Sequence, residues 1–293
     1  MKKKLTIILP IVAAFAVFFL GSWIAMGLFA NSDRAHEATN LEYILSYDGS
    51  YYTVSGLGEE KRTKFKIPEL HDGKPVKEID EGAFKDCKEL LSVTIPDGIA
   101  SIGFLAFYGC DKLTSVTIGN GVTAIGRDAF RNCLEITDIT IPDGVISVDE
   151  GAFRDCEKLT NVTLGKGLTS VAPYTFYSCG KLSSVTIPDN VISIGDVSFI
   201  YCGELKSVVV GNGTITIGNG AFDECEKLTS VTIGYSVTSI GESAFFGCQS
   251  LTRIDFNGTK TQWAAISKGD LWKDNAGEFT VYCIDGTIEY TNA

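Results

Sequence analysis

The stretch AFRDCEKLTNVTLGKGLTSV, residues 152–171, returns as AFDECEKLTSVTIGYSVTSI at residues 221–240, three steps of 23 residues further on. The same step runs through most of the chain. Cysteines stand at 87, 110, 133, 156, 179, 202, 225 and 248, and phenylalanines at 84, 107, 130, 153, 176, 199, 222 and 245. A third column reads Leu90, Leu113, Ile136, Leu159, Leu182, Leu205, Leu228 and Leu251. Eight such units without insertion or deletion make residues 76–256 one repeat array, and a period in this range means a solenoid.

Within a unit, Leu113-Thr-Ser-Val-Thr-Ile118 ends in a period-2 alternation rich in β-branched residues, which predicts a strand with one buried face. Turn residues follow, such as Pro96-Asp97-Gly98, Gly119-Asn120-Gly121 and Pro188-Asp189-Asn190. A second short extended piece, Val122 to Ile125, comes next. The stretch from Arg127 to Cys133 then places Phe130 and Cys133 at helical offsets but is too short for a stable helix, so a single helical or 3₁₀ turn is expected. One unit cannot bury its own apolar edge, so the strands of successive units stack in parallel about 4.8 Å apart. The expected architecture is a parallel β-sheet of about eight rungs joined by these short turns.

Outside the array, residues 5–30 contain no charged side chain and follow Lys2, Lys3 and Lys4. About 20 apolar residues suffice to cross a bilayer, and lysines tend to stay in the cytoplasm. The expectation is an N-terminal membrane anchor over 1–30, as one transmembrane helix or an uncleaved signal, with everything after it extracytoplasmic. The competing reading is secretion after cleavage at the small-x-small site Ala25-Met26-Gly27. A linker at 31–40, an N-terminal cap at 41–75 and a C-terminal cap at 257–293 complete the expected organisation. In the last of these, Trp263 to Ile266 reads as a helical turn, and Asp285-Gly286 as the turn of a hairpin.

A unit reading Ala-Phe-x-x-Cys-x-x-Leu-x-x-Val-x-Ile-Pro-x-x-Val-x-x-Ile-Gly resembles the BspA-like leucine-rich repeats of bacterial and some protist surface proteins. The stretch Leu41 to Gly56 resembles that group's N-terminal cap, and Phe256 to Gly269 its C-terminal tail. The resemblance implies a right-handed leucine-rich-repeat-type solenoid at a cell surface that acts in adhesion or other recognition. Partners of that kind are proteins or glycans on host or microbial surfaces. It implies no residue-level binding motif.

Composition narrows the function further. Of the 293 residues 45% are hydrophobic, which excludes a mostly disordered chain. Thirty-six acidic residues face 25 basic ones, three of which are Lys2, Lys3 and Lys4, so residues 31–293 carry a net −14. That field disfavours nucleic acid as a partner. The two histidines, His36 and His71, have no partner at triad or metal spacing, and the cysteines recur at one structural position beside a core Phe. No enzyme activity, cofactor or metal is therefore expected. The turn residues Asp97 and Asp143 are interrupted by Asn120 and Lys166, which breaks any calcium ladder. Buried free thiols are expected, because in-register side chains point the same way rather than at one another. A monomeric solenoid is the expected state.

Recognition then falls to the surface. Two outward rows run along the strands, Ser92 to Arg253 and Thr94 to Asp255, and Asp138, Asn161 and Arg253 are the changes that would give specificity. The position after each Phe, together with the next, supplies exposed aromatics: Tyr177, Tyr201 and Phe246. These six are the candidate ligand-binding residues. A structural or assembly role in the cell envelope, with a partner in the same cell, is the alternative to adhesion.

Overall fold

The computed structural model describes residues 36–291. The expected anchor over 5–30 lies outside the described residues. Among those described, no helix is long and apolar enough to cross a membrane.

Each turn of the solenoid carries two strand segments. Inside a two-residue edge strand at His36–Glu37, the longer row runs from Lys64–Lys66 through Ser92–Ile95, Ser115–Ile118, Asp138–Thr140, Asn161–Thr163, Ser184–Ile187, Ser207–Val210, Ser230–Ile233 and Arg253–Phe256 to Phe279–Cys283. The shorter row holds two-residue strands such as Ser101–Ile102, Ser193–Ile194 and Ser239–Ile240. Pairing between successive turns is parallel and in register, as in Ser207↔Ser230 and Val208↔Val231, with one break in each row, after Ser115–Ile118 and after Ser147–Val148. Among the described residues the solenoid thus has ten rungs. The expectation of about eight is corrected because each cap contributes one, Lys64–Lys66 in front and Phe279–Cys283 behind. Both rungs lack the Phe and Cys columns by which the others are counted.

Alternation along the strands sorts side chains as their hydrophobicity dictates. Val93, Val208, Val231 and Ile254 are buried, whereas Ser115, Thr117, Asp138 and Thr140 are exposed. Inside, the rings of the Phe column stack nearly parallel. Phe107 to Phe130 is 5.0 Å at 3° and Phe130 to Phe153 is 5.3 Å at 1°. Phe65 closes the stack at one end and Trp272, edge-on to Phe245 at 6.3 Å, at the other.

The Phe-bearing segments are not helical or 3₁₀ turns, and this corrects the sequence expectation. Among the described residues the one helix is Lys260–Ala265, with a Thr259 capping box and Trp263 buried beneath it. In the repeats, the residues two before and two after each Phe take positive φ: Asp128 and Asn132 stand at 52° and 60° around Phe130. A left-handed residue ends a helix after a single turn. It also lets alternate N–H groups reach the next rung: Phe130 N donates to Ala152 O at 2.8 Å, and Asn132 N to Arg154 O at 3.0 Å. Cross-rung hydrogen bonds win over helix propagation.

The turns between strand rows pack as tightly. A Cβ on Gly121 would lie 1.9 Å from Asp97 O and one on Gly213 1.8 Å from Asp189 O, so glycine is required by close approach. The carboxylates of Asp97, Asp143 and Asp189 accept the N–H of Asn120, Lys166 and Asn212 on the following rung at 2.7–2.8 Å. They act as turn caps.

At the ends, Glu42–Leu45 and Tyr52–Gly56 form an antiparallel pair whose second strand joins the short row through Lys74–Ile79. Phe279–Cys283 and Gly286–Tyr290 form the expected hairpin. Both cover sheet edges that would otherwise invite another chain.

Candidate functional site

The six candidate residues fall into two pairs and two isolated positions. On the strand face, Asp138 and Asn161 are register partners, and Asn161 Nδ2 donates to Asp138 Oδ1 at 2.6 Å. Thr137 Oγ1 donates to the other carboxylate oxygen at 2.6 Å. These two hydrogen bonds, that of Thr137 first, hold the exposed Asp138 carboxyl below its ordinary range. Arg253 stands four rungs beyond Asn161, roughly 19 Å at the usual strand spacing. Its guanidinium is already engaged, bidentate to Asp255 at 2.6 and 2.7 Å and 4.0 Å over the Tyr282 ring. The Arg253 side chain is therefore committed within its own rung and the next.

On the edge formed by the Phe-bearing turns, Tyr177 and Tyr201 meet edge-to-face with centroids 5.7 Å apart. Two residues that the sequence reading did not single out complete the group. Tyr174 lies 5.9 Å from Tyr177, and the Arg154 guanidinium sits 4.4 Å over the Tyr177 ring and 5.5 Å from that of Tyr174. Tyr174 and Tyr201 occupy the two left-handed positions of their turns, at φ 59° and 62°. Most other units place Asp, Asn, Gly or Ser there, which take this conformation at lower cost. Tyr201 is 49% exposed. Phe246, half-buried and two rungs beyond Tyr201, does not join the cluster.

A cleft of about 770 Å³ opens on the long-strand side between the rungs of Asn161–Thr163 and Ser184–Ile187. Strand pairing there falls to the single position Asn161↔Ser184, against four positions in each of the next two pairs. Asn190 lines the opening. It stands where the turns before it carry Gly98, Gly121, Gly144 and Gly167, and its Nδ2 donates to both Lys166 O and Leu168 O. Ser236, with a Cβ at the equivalent place, leaves four-residue pairing intact, so a Cβ there does not by itself part the rungs. Val162 is left half-buried on the cleft wall. An Asn in a glycine column was the available signal.

All but Cys87 and Cys283 of the cysteines are closed to reagents. Burial pushes the Cys156 and Cys202 thiols up to about 12, and seven of the nine are buried and free. His71 is stacked on Tyr43 at 3.8 Å in the N-terminal cap.

The 23-residue framework and its paired strand rows have a family counterpart: the BspA type leucine rich repeat region matches residues 77–206 and 192–267, in six copies. The chain belongs to the BspA-type leucine-rich-repeat family. Among solved structures, a leucine-rich repeat protein from Bacteroides ovatus is similar at 27% identity with a TM-score of 0.57. The match covers 79% of this chain and 66% of that one, so this chain spans just under two thirds of its length. A leucine rich cell surface protein from Faecalibacterium prausnitzii matches at 25% identity and a TM-score of 0.36, over 81% of this chain and 98% of that one. No protein of curated function matches this chain.

Proposed function

We propose that this BspA-type protein is a non-enzymatic cell-surface recognition protein that binds a macromolecular partner through its solenoid, in adhesion to host or microbial surfaces. The observation that carries this reading is the cluster of Tyr174, Tyr177 and Tyr201 with Arg154 on one edge. Tyr and Arg are the residues that dominate binding energy at protein interfaces, because a rigid ring brings large contact area at little entropic cost. Placement at the surface is supported by the family and by the charge-free residues 5–30 behind three lysines. Against catalysis stand thiols held protonated by burial, as at Cys156, and a His71 engaged with an aromatic ring.

The test uses intact cells making the full chain or its Tyr177→Ala/Tyr201→Ala variant, with cross-linking to added host or microbial surface material. Capture by the parent chain and its loss in the variant is the expected result. No capture by either sinks the reading, and resistance of the chain to added protease on intact cells would turn it toward an envelope assembly role.

A further inference from the structure

The edge that carries the tyrosines changes electrostatic character along its length. Before them, Asp128, Glu150 and Asp155 each meet Arg127, Arg131 or Arg154 within 3.3–3.7 Å. Beyond them, Asp196, Asp223, Glu224 and Glu242 form no ion pair with any described Lys or Arg.

Asp196, Asp223 and Glu242 border a continuous groove. A hollow of about 550 Å³ along the short-strand row shares Asp196 and Asn219 with one of about 350 Å³ that ends at Tyr174. Its floor is glycine: Gly195, Gly218 and Gly241 line it, and a Cβ on any of them would lie 2.5–2.7 Å from backbone of the preceding rung. Asp149 and Ala172 hold the equivalent positions on the two rungs before Gly195, so the glycine floor begins beside the tyrosines. In the smaller hollow, Asp223 Oδ1 is shut off from solvent and has no hydrogen-bond partner. Lost hydration, then the neighbouring Glu224 carboxylate, push the Asp223 carboxyl up to about 6. A carboxylate so poorly hydrated is costly to keep charged, and a cation entering the hollow beside it would offset that cost.

We infer that this glycine-floored groove is the docking site for a basic segment of a protein partner, with a Lys or Arg side chain of the partner entering between Tyr174, Asp223 and Glu242. The occupant follows from charge complementarity: three rungs of uncompensated carboxylate on a chain of net −11 select a cation. The tyrosines at the end of the groove already hold one guanidinium, that of Arg154, over their rings. The carboxylates are spread over three rungs, and no three His, Cys, Asp or Glu side chains among the described residues group as a metal site. The inference rests on the recognition function proposed above and names the chemistry of the partner.

The experiment measures binding of a fluorescein-labelled hexa-arginine peptide to the purified full chain by anisotropy. The Asp223→Asn/Glu242→Gln variant is expected to bind at least about tenfold more weakly, and Tyr201→Ala several-fold more weakly. A control, Glu89→Gln/Asp111→Asn, removes the same charge from acids paired with Lys112 and Lys88 and is expected to bind within about twofold of the parent. Equal loss in both double variants would overturn the inference, since the peptide would then read net charge alone. No loss in either would also overturn it. Circular dichroism melts establish that the variants are folded, and Asp223→Glu, which keeps the charge, is expected to retain binding. If intact cells capture a partner that Asp223→Asn/Glu242→Gln still holds, the groove assignment fails and the recognition function stands. If the groove selects the peptide but cells capture nothing, the reverse holds.

Discussion

The thiol of Cys179 donates a hydrogen bond to the carbonyl oxygen of Phe153, 26 residues earlier, at 3.3 Å. The relationship repeats from Cys110 onto Phe84 O through Cys248 onto Phe222 O. In most of these turns the Phe carbonyl also accepts the N–H of the Cys three residues on, as Phe176 O accepts from Cys179 N at 3.2 Å. The thiol occupies the second lone pair of a carbonyl that water does not reach. The Cys column thus ties each rung to the one before it, which explains a small donor at that position better than packing alone.

Thiol chemistry checks this first. Thiolate is the reactive form, and burial holds Cys156 and Cys202 near 12, so at neutral pH their thiolate fraction is negligible. Titration of the native chain with a thiol reagent is expected to modify the half-buried Cys87 and Cys283 and to spare the other seven. In denaturant all nine should react. Fewer than nine would mean that some are paired.

Phe153 sits mid-stack, 5.3 Å from Phe130 and 5.6 Å from Phe176. Replacing it by Ala empties a fully buried position between two rings and is expected to destabilise the fold by about 3–5 kcal/mol. Neither neighbour can close the gap without losing its own register. Chemical denaturation measures the effect, and an unchanged midpoint would remove the Phe column from the core.

The repeat was legible in the sequence because its columns are one-residue codes for burial: an inward ring, a small donor, a period-2 strand. The two extra rungs were hidden because Lys64–Lys66 and Phe279–Cys283 belong to segments without those columns and join by backbone pairing and by burying Phe65, Phe279 and Val281. The left-handed positions flanking each Phe had a signal in the run Asp86, Gly109, Asn132 and Asp155. Leu105, Tyr174, Val197 and Tyr201 obscured it, since tertiary hydrogen bonds hold unfavourable residues there. Of the candidate site, column-by-column reading found residues one unit apart, such as Asp138 with Asn161. It missed Tyr174, which meets Tyr177 within one turn, and it read Arg154, one unit before Tyr177 in the same column, only as a charge alternating with the aromatics.

Asn190 provides a test of what parts the rungs. Asn190→Gly restores the glycine column and removes the amide that bridges Lys166 O and Leu168 O. Strand pairing is then expected to extend from Asn161↔Ser184 along Val185 to Ile187, as it does on the next rung. Hydrogen exchange should report slower exchange for those backbone amides. Unchanged exchange would mean that the cleft is set by the strands rather than by the turn.

Asp223 makes stability depend on pH with a definite sign. Its carboxyl is raised from 3.8 to about 6, by burial first and Glu224 second, so the folded chain binds this proton more tightly than the unfolded chain does. Between the two values the native state holds more protons, and stability falls as pH rises. The contribution is fully expressed below about pH 4, is lost as pH climbs through 6, and is flat above it. Partial exposure of the side chain reduces its size to about 1–2 kcal/mol. Asp223→Asn removes the titrating group, so the variant is expected to match the parent near pH 4 and to exceed it in stability at pH 7 and above. Melting temperatures of the two chains across that range decide the matter, and parallel curves would show that Asp223 is no more strained than a surface carboxylate.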